Sequence, residues 1–287
     1  MSNYKIITDS ACDLPKTMLQ ELDVTAIPLT VNFRGEERQD SVEDADVKEL
    51  YDAMRDGEVA TTSAVNPEGW SNVIEPVLAE GKDALVLAFS SGLSTTYQSA
   101  VIAATELQEK YPERCIRVVD TCAAALGQGL LVYYVCKKRD SGLSLEDLAA
   151  WTEENKNCLA HWFTVDDLVY LKRGGRVSAA TAVLGAMLNI KPVLHVDNEG
   201  HLISREKVRG RKAAISSLAA KPGQLDGESS EIMFICHADC MDDANTLAST
   251  VKEKYGVKEV FIGNLGAVIG SHAGPGTLAL FFMGKEK

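Results

Sequence analysis

Apolar and polar positions alternate along the first half of the chain with two different periods, which predicts strands and helices in turn. Short runs rich in β-branched and aromatic residues predict strands at Tyr4–Thr8, Thr25–Phe33, Ala84–Phe89 and Ile116–Val119. Between them apolar residues recur at helical spacing, most clearly after Asn66-Pro67, where a cap residue precedes a proline at the first helical position. This alternation predicts a mostly parallel sheet covered by helices.

The second half of the chain has a different order of elements. Helical patterns occur over 123–139 and 145–156, and further helices are expected over 178–188, from Arg209 onward and over 242–255. Strands are predicted at Leu159–Val165, Pro192–Val196, His201–Val208, Glu231–Cys236, Lys258–Ile262 and Leu278–Met283. The four residues 197–200 read Asp-Asn-Glu-Gly, which predicts a hairpin turn.

Length and pattern together favour two α/β domains. A chain of 287 residues is longer than most single domains. We expect residues 1–160 to form a domain with a mostly parallel sheet flanked by helices. Residues 161–287 are expected to form a second domain with a mixed sheet and helices.

Composition and charge exclude several classes of protein. Apolar residues make up 46% of the chain and charged residues 24%, which is ordinary for a globular protein and excludes a disordered one. The net charge of −12 argues against binding to nucleic acid, since phosphate binding requires clustered Lys and Arg. No segment approaches about 18 consecutive apolar residues, and the first residues lack the pattern of a signal peptide. We therefore expect no transmembrane segment.

The cysteines favour a reducing compartment. Seven is an odd number, and several cysteines lie in apolar stretches where free thiols pack as small hydrophobic groups. This predicts a cytoplasmic protein. Cys236, His237 and Cys240 offer three candidate metal ligands with no matching pair elsewhere, so we expect no metal.

The turn after the strand at 84–89 is the most informative candidate site. It is rich in hydroxyl groups and opens a helix, and Ser94 is predicted as the N-cap with the amides of Thr95 and Thr96 just inside. A hydroxyl, free backbone amides and the helix dipole can together bind an oxyanion. The alternative is that Ser94 only caps its own helix.

Three other segments carry candidate ligand-binding residues. Thr62-Ser63 is a hydroxyl pair just before the helix that starts at Pro67. His272 lies among glycines that allow close approach of the backbone, and it could donate to a carboxylate. Arg173 precedes a glycine pair and is a candidate partner for an anion. An ordinary loop role is the alternative for Thr62-Ser63 and for His272.

A basic segment interrupts the acidic chain. Only one acidic residue, Glu206, opposes the five basic residues Arg205, Lys207, Arg209, Arg211 and Lys212. The segment is either a docking surface for a partner or a solvated face.

These motifs together resemble the DegV family, in the family's order and along the whole chain. The resemblance begins with Asp9-Ser10 and Asp13-Leu14-Pro15 and continues through Thr62-Ser63 and the Ser-Ser-x-Leu-Ser turn. It continues with Asp120-Thr121 and Leu171-Lys-Arg-Gly-Gly-Arg176, and it ends with Gly270-x-His272-x-Gly-Pro-Gly276.

The resemblance implies two α/β domains with a long-chain fatty acid between them. Its carboxylate would be held by the hydroxyl groups of Thr62 and Ser94 with His272 close by, and Ser63, Thr95 and Arg173 are included as candidate neighbours. Thr95 departs from the glycine that the family usually has after this serine. Its Cβ could narrow the carboxylate pocket.

The resemblance also implies a partner. It implies that, in bacteria with a fatty acid kinase, such a protein presents the fatty acid to that separate ATP-binding kinase and carries the acyl phosphate away, and transient membrane contact is compatible with this role. We expect Arg173 on the head-group side, and Arg205 and Arg209 as the pair that docks the kinase. Arg176 belongs to the same basic set.

The leading expectation is thus a lipid-binding protein with no catalytic residues and no cofactor. The alternative is a serine acyl hydrolase in which Ser91 or Ser94 is the nucleophile and His272 its base, although the turn lacks the leading glycine of a G-x-S-x-G elbow. A nucleotide-binding role is disfavoured because the chain contains no G-x-x-x-x-G-K-[ST] motif.

Overall fold

A computed structural model describes residues 3–177, 189–227 and 230–287. Its strands are β1 Tyr4–Asp9, β2 Val24–Ile27, β3 Thr30–Phe33, β4 Glu36–Gln39, β5 Thr61–Ser63, β6 Asp83–Ala88, β7 Ile116–Asp120, β8 Leu159–Thr164, β9 Ile190–Val196, β10 Leu202–Arg209, β11 Ile232–His237, β12 Glu259–Asn264 and β13 Leu278–Met283. Its helices are α1 Lys16–Glu21, α2 Asp44–Arg55, α3 Pro67–Ala79, α4 Thr96–Lys110, α5 Ala125–Asp140, α6 Leu145–Asn155, α7 Val169–Arg173, α8 Arg211–Gln224, α9 Met241–Tyr255 and α10 Ala267–Ala273. The helix expected over 178–188 lies outside the described residues.

The first sheet is the predicted parallel one. Its four strands lie in the order β2-β1-β6-β7, and every pair is parallel. Helix α3 begins as its sequence predicts, because the side chain of Asn66 accepts a hydrogen bond from the Gly69 amide and Pro67 occupies the first turn. Its apolar stripe buries Trp70, Ile74 and Leu78.

A second, small sheet was not anticipated. The single strand expected at Thr25–Phe33 is wrong: the chain breaks at Pro28, with β2 in the first sheet and β3 in a separate antiparallel sheet of order β4-β3-β5. Proline has no N–H to donate to a ladder, so the chain changes sheet there. Thr62 and Ser63, for which the sequence predicts no strand, are paired in β5 with β3.

The third sheet is mixed, as predicted for the second half of the chain. Its order is β10-β9-β8-β13-β11-β12, antiparallel throughout except for the pair β11 and β12. The predicted hairpin joins β9 to β10, and its turn closes with a hydrogen bond from the Gly200 amide to the Asp197 carbonyl. The fold is therefore α/β, with a parallel sheet flanked by helices and a second mixed sheet.

The first and third sheets contribute buried side chains to one hydrophobic core. The larger core contains side chains of the first sheet, of α5 and of one face of the third sheet, whereas α8 and α9 cover the opposite face of the third sheet. A domain boundary at residue 160 stays a prediction. None of the described helices combines the length and the apolar character that a membrane crossing requires.

Candidate functional site

A mostly apolar cavity opens where the three sheets meet. It has a volume of about 500 Å³ and is lined by the turn that follows β6, the first residues of α5, and parts of β8, α10 and β13. Most of its wall is apolar, with contributions from Leu29, Phe89, Phe163, Val268, Ile269 and Phe281. Cavities of this size and character bind small organic ligands.

A threonine and a histidine from distant parts of the chain meet on the cavity wall. The Oγ1 atom of Thr62 lies 2.8 Å from Nε2 of His272. Successive side chains of a strand point to opposite faces, and the side chain of Thr62 is on the face of β5 that lines the cavity. His272 reaches the cavity from the last turn of α10. Helix α10 is anchored to the first half of the chain, since the Val268 amide donates to Asp40 at 2.8 Å.

His272 is neutral at physiological pH. Burial and, secondarily, the positive charge of Arg176 lower the pKa of His272 to about 4. A neutral imidazole that donates from Nε2 to the Thr62 oxygen leaves the Thr62 hydroxyl hydrogen free for a ligand acceptor. The other edge of the ring packs against the chain at Gly174, where a Cβ would lie 2.3 Å from Nδ1, so only glycine allows this approach.

Arg176 brings a positive charge to the same group of residues. Its Nε donates to the Leu93 carbonyl at 3.2 Å and its guanidinium also donates to the Gly174 carbonyl. It lines the cavity. The contacts therefore form a continuous series from Thr62 through His272, Gly174 and Arg176 to the turn that carries Ser94.

Ser94 was predicted as the N-cap of α4, but it lies one residue before the N-cap. The N-cap residue is Thr95, and the Thr96 amide donates to the Ser94 hydroxyl at 3.2 Å. Ser94 Oγ also lies 2.8 Å from the Thr96 hydroxyl. Ser94 thus supports the helix start and lines the cavity at the same time. The backbone of Thr95 has φ −79°, which any residue adopts, so its side chain is accommodated without strain at the exposed rim of the cavity.

One protein family matches this chain over nearly all its length. A family model described as uncharacterised protein, DegV family, matches residues 3–285. A DegV domain-containing protein of Clostridium perfringens is 45% identical over 289 residues, covering 100% of this chain and 99% of the relative. The chain belongs to the DegV family.

Solved DegV-family structures share the fold, and several of them bind fatty acids. A DegV family protein from Thermus thermophilus, described by its fatty acid binding, is 34% identical with a TM-score of 0.87, covering 98% of this chain and 99% of that one. DegV of Bacillus subtilis, described as a fatty acid binding protein, is 31% identical with a TM-score of 0.85, covering 99% and 100%. The fatty acid kinase B3 protein of Streptococcus pneumoniae, loaded with linoleic acid, is 21% identical with a TM-score of 0.85 over 99% of both chains, and that likeness concerns the fold.

The DegV-family chain brings only part of the predicted residue set to the cavity. Thr62, Ser94, Thr95 and His272 line it. Ser63 points to the other face of β5, where its hydroxyl accepts from Asn32 at 3.3 Å. Which of these residues contact a ligand stays a prediction.

The basic residues are distributed differently from the expectation. Arg173 is exposed and does not line the cavity, because its guanidinium lies over the ring of Tyr170, 5.7 Å from the ring centre. Arg176, three residues later and beyond the glycine pair, is the arginine that lines it. Arg205 and Arg209 are exposed on β10, the edge strand of the third sheet.

Among the described residues no hydrogen bond joins His272 to Ser91 or Ser94, the pair that the serine hydrolase alternative requires. Nε2 of His272 bonds with Thr62, and the Ser94 hydroxyl bonds with Thr96. In the described part of the chain no group of three or more His, Cys, Asp or Glu side chains is arranged to hold a metal ion. Cys240 instead donates from Sγ to the Thr277 carbonyl.

His161 is a polar cavity residue that was not among the predicted site residues. His161 lines the cavity from β8, but its strand is buried along its whole length, so the sequence pattern does not indicate which side chains face a ligand. Only its polar character within an apolar run could have suggested it.

Proposed function

We propose that this chain binds one long-chain fatty acid in the cavity described above. The carboxylate would lie among Thr62, Ser94, Arg176 and His272, and the acyl chain along the apolar wall. The observation that carries the proposal is the series of contacts that groups these polar residues in a cavity that is otherwise mostly apolar.

The chemistry of the lining suits a carboxylic acid with a long tail. Each buried methylene contributes about 0.8 kcal/mol, so the acyl chain would supply most of the affinity. Hydroxyl groups and a guanidinium would fix the orientation of the head group, since hydrogen bonds to charged groups are among the stronger ones. Holding a carboxylate in this way requires no activated nucleophile, which supports a binding role without catalysis.

We further propose that the bound acid is presented to a separate ATP-dependent fatty acid kinase and that the chain then carries the acyl phosphate. The proposal rests on the family resemblance and on the surface of the third sheet. Arg205, Lys207 and Arg209 are exposed at alternate positions of the edge strand β10. In a protein of net charge −12 such a row would orient an acidic partner surface. All seven cysteines are free thiols, which supports the proposed cytoplasmic location.

Extraction of the purified chain with organic solvent tests the binding proposal. We expect mass spectrometry of the extract to identify long-chain fatty acid at about one molecule per chain. Trace recovery, together with no binding of added oleate or palmitate, would contradict the proposal. Release of acyl phosphate by the isolated chain with ATP, without a kinase, would contradict the division of roles.

A further inference from the structure

His161 is a polar residue in an apolar part of the cavity. It is 4% exposed, and its ring lies in edge contact with that of Phe281, with ring centres 4.6 Å apart. Phe163, two residues along the same strand, also lines the cavity. The ring contacts of His161 are therefore with Phe163 and Phe281, and they do not involve Thr62 or His272 of the proposed carboxylate site.

Neither ring nitrogen of His161 has a hydrogen-bond partner among the described residues, and Nδ1 is fully buried. A polar group without a partner in a buried position is costly and requires an explanation. Burial lowers the pKa of His161 well below its ordinary value, so the ring is neutral and carries one N–H.

The surroundings indicate which nitrogen holds the hydrogen. A Cβ added at Gly127 would lie 2.8 Å from Nδ1 and 2.9 Å from Cε1, so a Cα hydrogen of Gly127 points at this edge of the ring. A Cα–H group is a weak donor, which suits a lone pair on Nδ1. We therefore assign the hydrogen to Nε2, on the edge that Gly127 leaves uncovered.

We propose that His161 is a specificity-determining residue whose Nε2–H donates to an oxygen substituent along the acyl chain, so that the protein prefers hydroxylated long-chain fatty acids to their saturated parents. The inference rests on the proposed fatty acid binding and adds to it the class of acid. An acyl chain without an oxygen substituent leaves the Nε2–H of His161 unpaired, whereas a hydroxyl group at the matching carbon accepts a hydrogen bond from it. In a purely apolar wall the same hydroxyl group would itself be buried without a partner.

Binding of stearate and a series of monohydroxystearate positional isomers to the delipidated full chain tests the inference. We expect one of the isomers to bind about two- to tenfold tighter than stearate, which is the gain in affinity that one neutral hydrogen bond supports. In His161→Phe the same isomer should bind about tenfold weaker than stearate, because its hydroxyl group then has no partner. The matched control Ile269→Val changes the size of the apolar wall without changing its polarity or removing a ring contact of His161, and it should keep the preference.

The outcomes separate this inference from the proposed function. If stearate binds but no isomer binds tighter, or if the preference survives in His161→Phe, the role of His161 is wrong while fatty acid binding stands. A preference for oleate over stearate that depends on His161, without any preference for a hydroxyl group, also overturns the role. If no acid binds, the proposed function itself fails. Should His161→Phe not unfold cooperatively, the ranking measured on the unaltered chain decides.

Discussion

Replacement of Thr62 by valine isolates one hydroxyl group of the proposed carboxylate site. Valine has nearly the same shape and also suits a strand, so β5 and its pairing with β3 should be retained. With the Nε2–H tautomer of His272 as donor in the 2.8 Å contact, the change removes the Thr62 hydroxyl hydrogen that is free for a ligand. Thr62→Val also removes the hydrogen bond between Thr62 and His272, but it does so in both the free and the ligand-bound protein. That loss therefore largely cancels from the binding free energy.

The expected loss follows from the charge of the acceptor. A hydrogen bond to a charged group contributes about 1.5 to 3 kcal/mol, which corresponds to a dissociation constant raised by about 10- to 150-fold. Thr62 is only partly buried, which favours the lower half of that range. Displacement of a fluorescent fatty acid by oleate at neutral pH measures the change.

Ser63→Ala is the matched control, because it removes a hydroxyl group from the next residue of the same strand. That side chain is exposed and bonds with Asn32 on the other face of β5. We expect its oleate affinity to equal that of the unaltered chain. Equal affinity in Thr62→Val and Ser63→Ala, with both proteins folded, would refute the placement of the carboxylate beside Thr62.

Three other changes test separate parts of the structure. Gly174→Ala should weaken oleate binding, because its Cβ would lie 2.3 Å from Nδ1 of His272 and displace that ring; unchanged affinity would contradict this. Burial and the neighbouring Asp40 raise the pKa of Asp13 well above its ordinary value, so the folded protein loses stability as pH rises from about 4 towards that raised value. Asp13→Asn should therefore raise the melting temperature more at pH about 8 than at pH about 5, and an equal shift at both would refute the reasoning. Arg205→Glu should slow acyl phosphate formation by the kinase at low salt without changing oleate affinity, whereas Arg117→Glu on β7, an edge strand of the first sheet, should not slow it; equal effects would show that only net charge matters.

Much of the secondary structure could be predicted because its signals are local. The Asn66-Pro67 start of α3 and the hairpin turn at 197–200 depend on residues a few positions apart, and both are present. The small sheet depends on distant pairing: β4 is exposed along its whole length, so it has no apolar pattern, and β5 has only three residues. The break at Pro28 separated two strands whose apolar runs are nearly continuous in sequence.

The site could be predicted in part for the same reason. Ser94 was identified from a turn that directly follows a strand, and the error of one residue in the N-cap reflects how helix ends vary. The orientation of Thr62 and Ser63 follows strand alternation only once β5 is known. Arg173 and Arg176 are separated by a glycine pair whose turn the sequence does not determine, so the sequence does not indicate which arginine faces the cavity.

A comparison of oleic acid with its methyl ester, by calorimetric titration of the delipidated chain, tests the central claim most directly. The two ligands share the acyl chain and differ in the charge of the head group. If the carboxylate is held by the polar residues of the cavity, the acid binds at about one molecule per chain and the ester at least about tenfold more weakly. Equal affinity of acid and ester, or no saturable binding of the acid, would contradict the account.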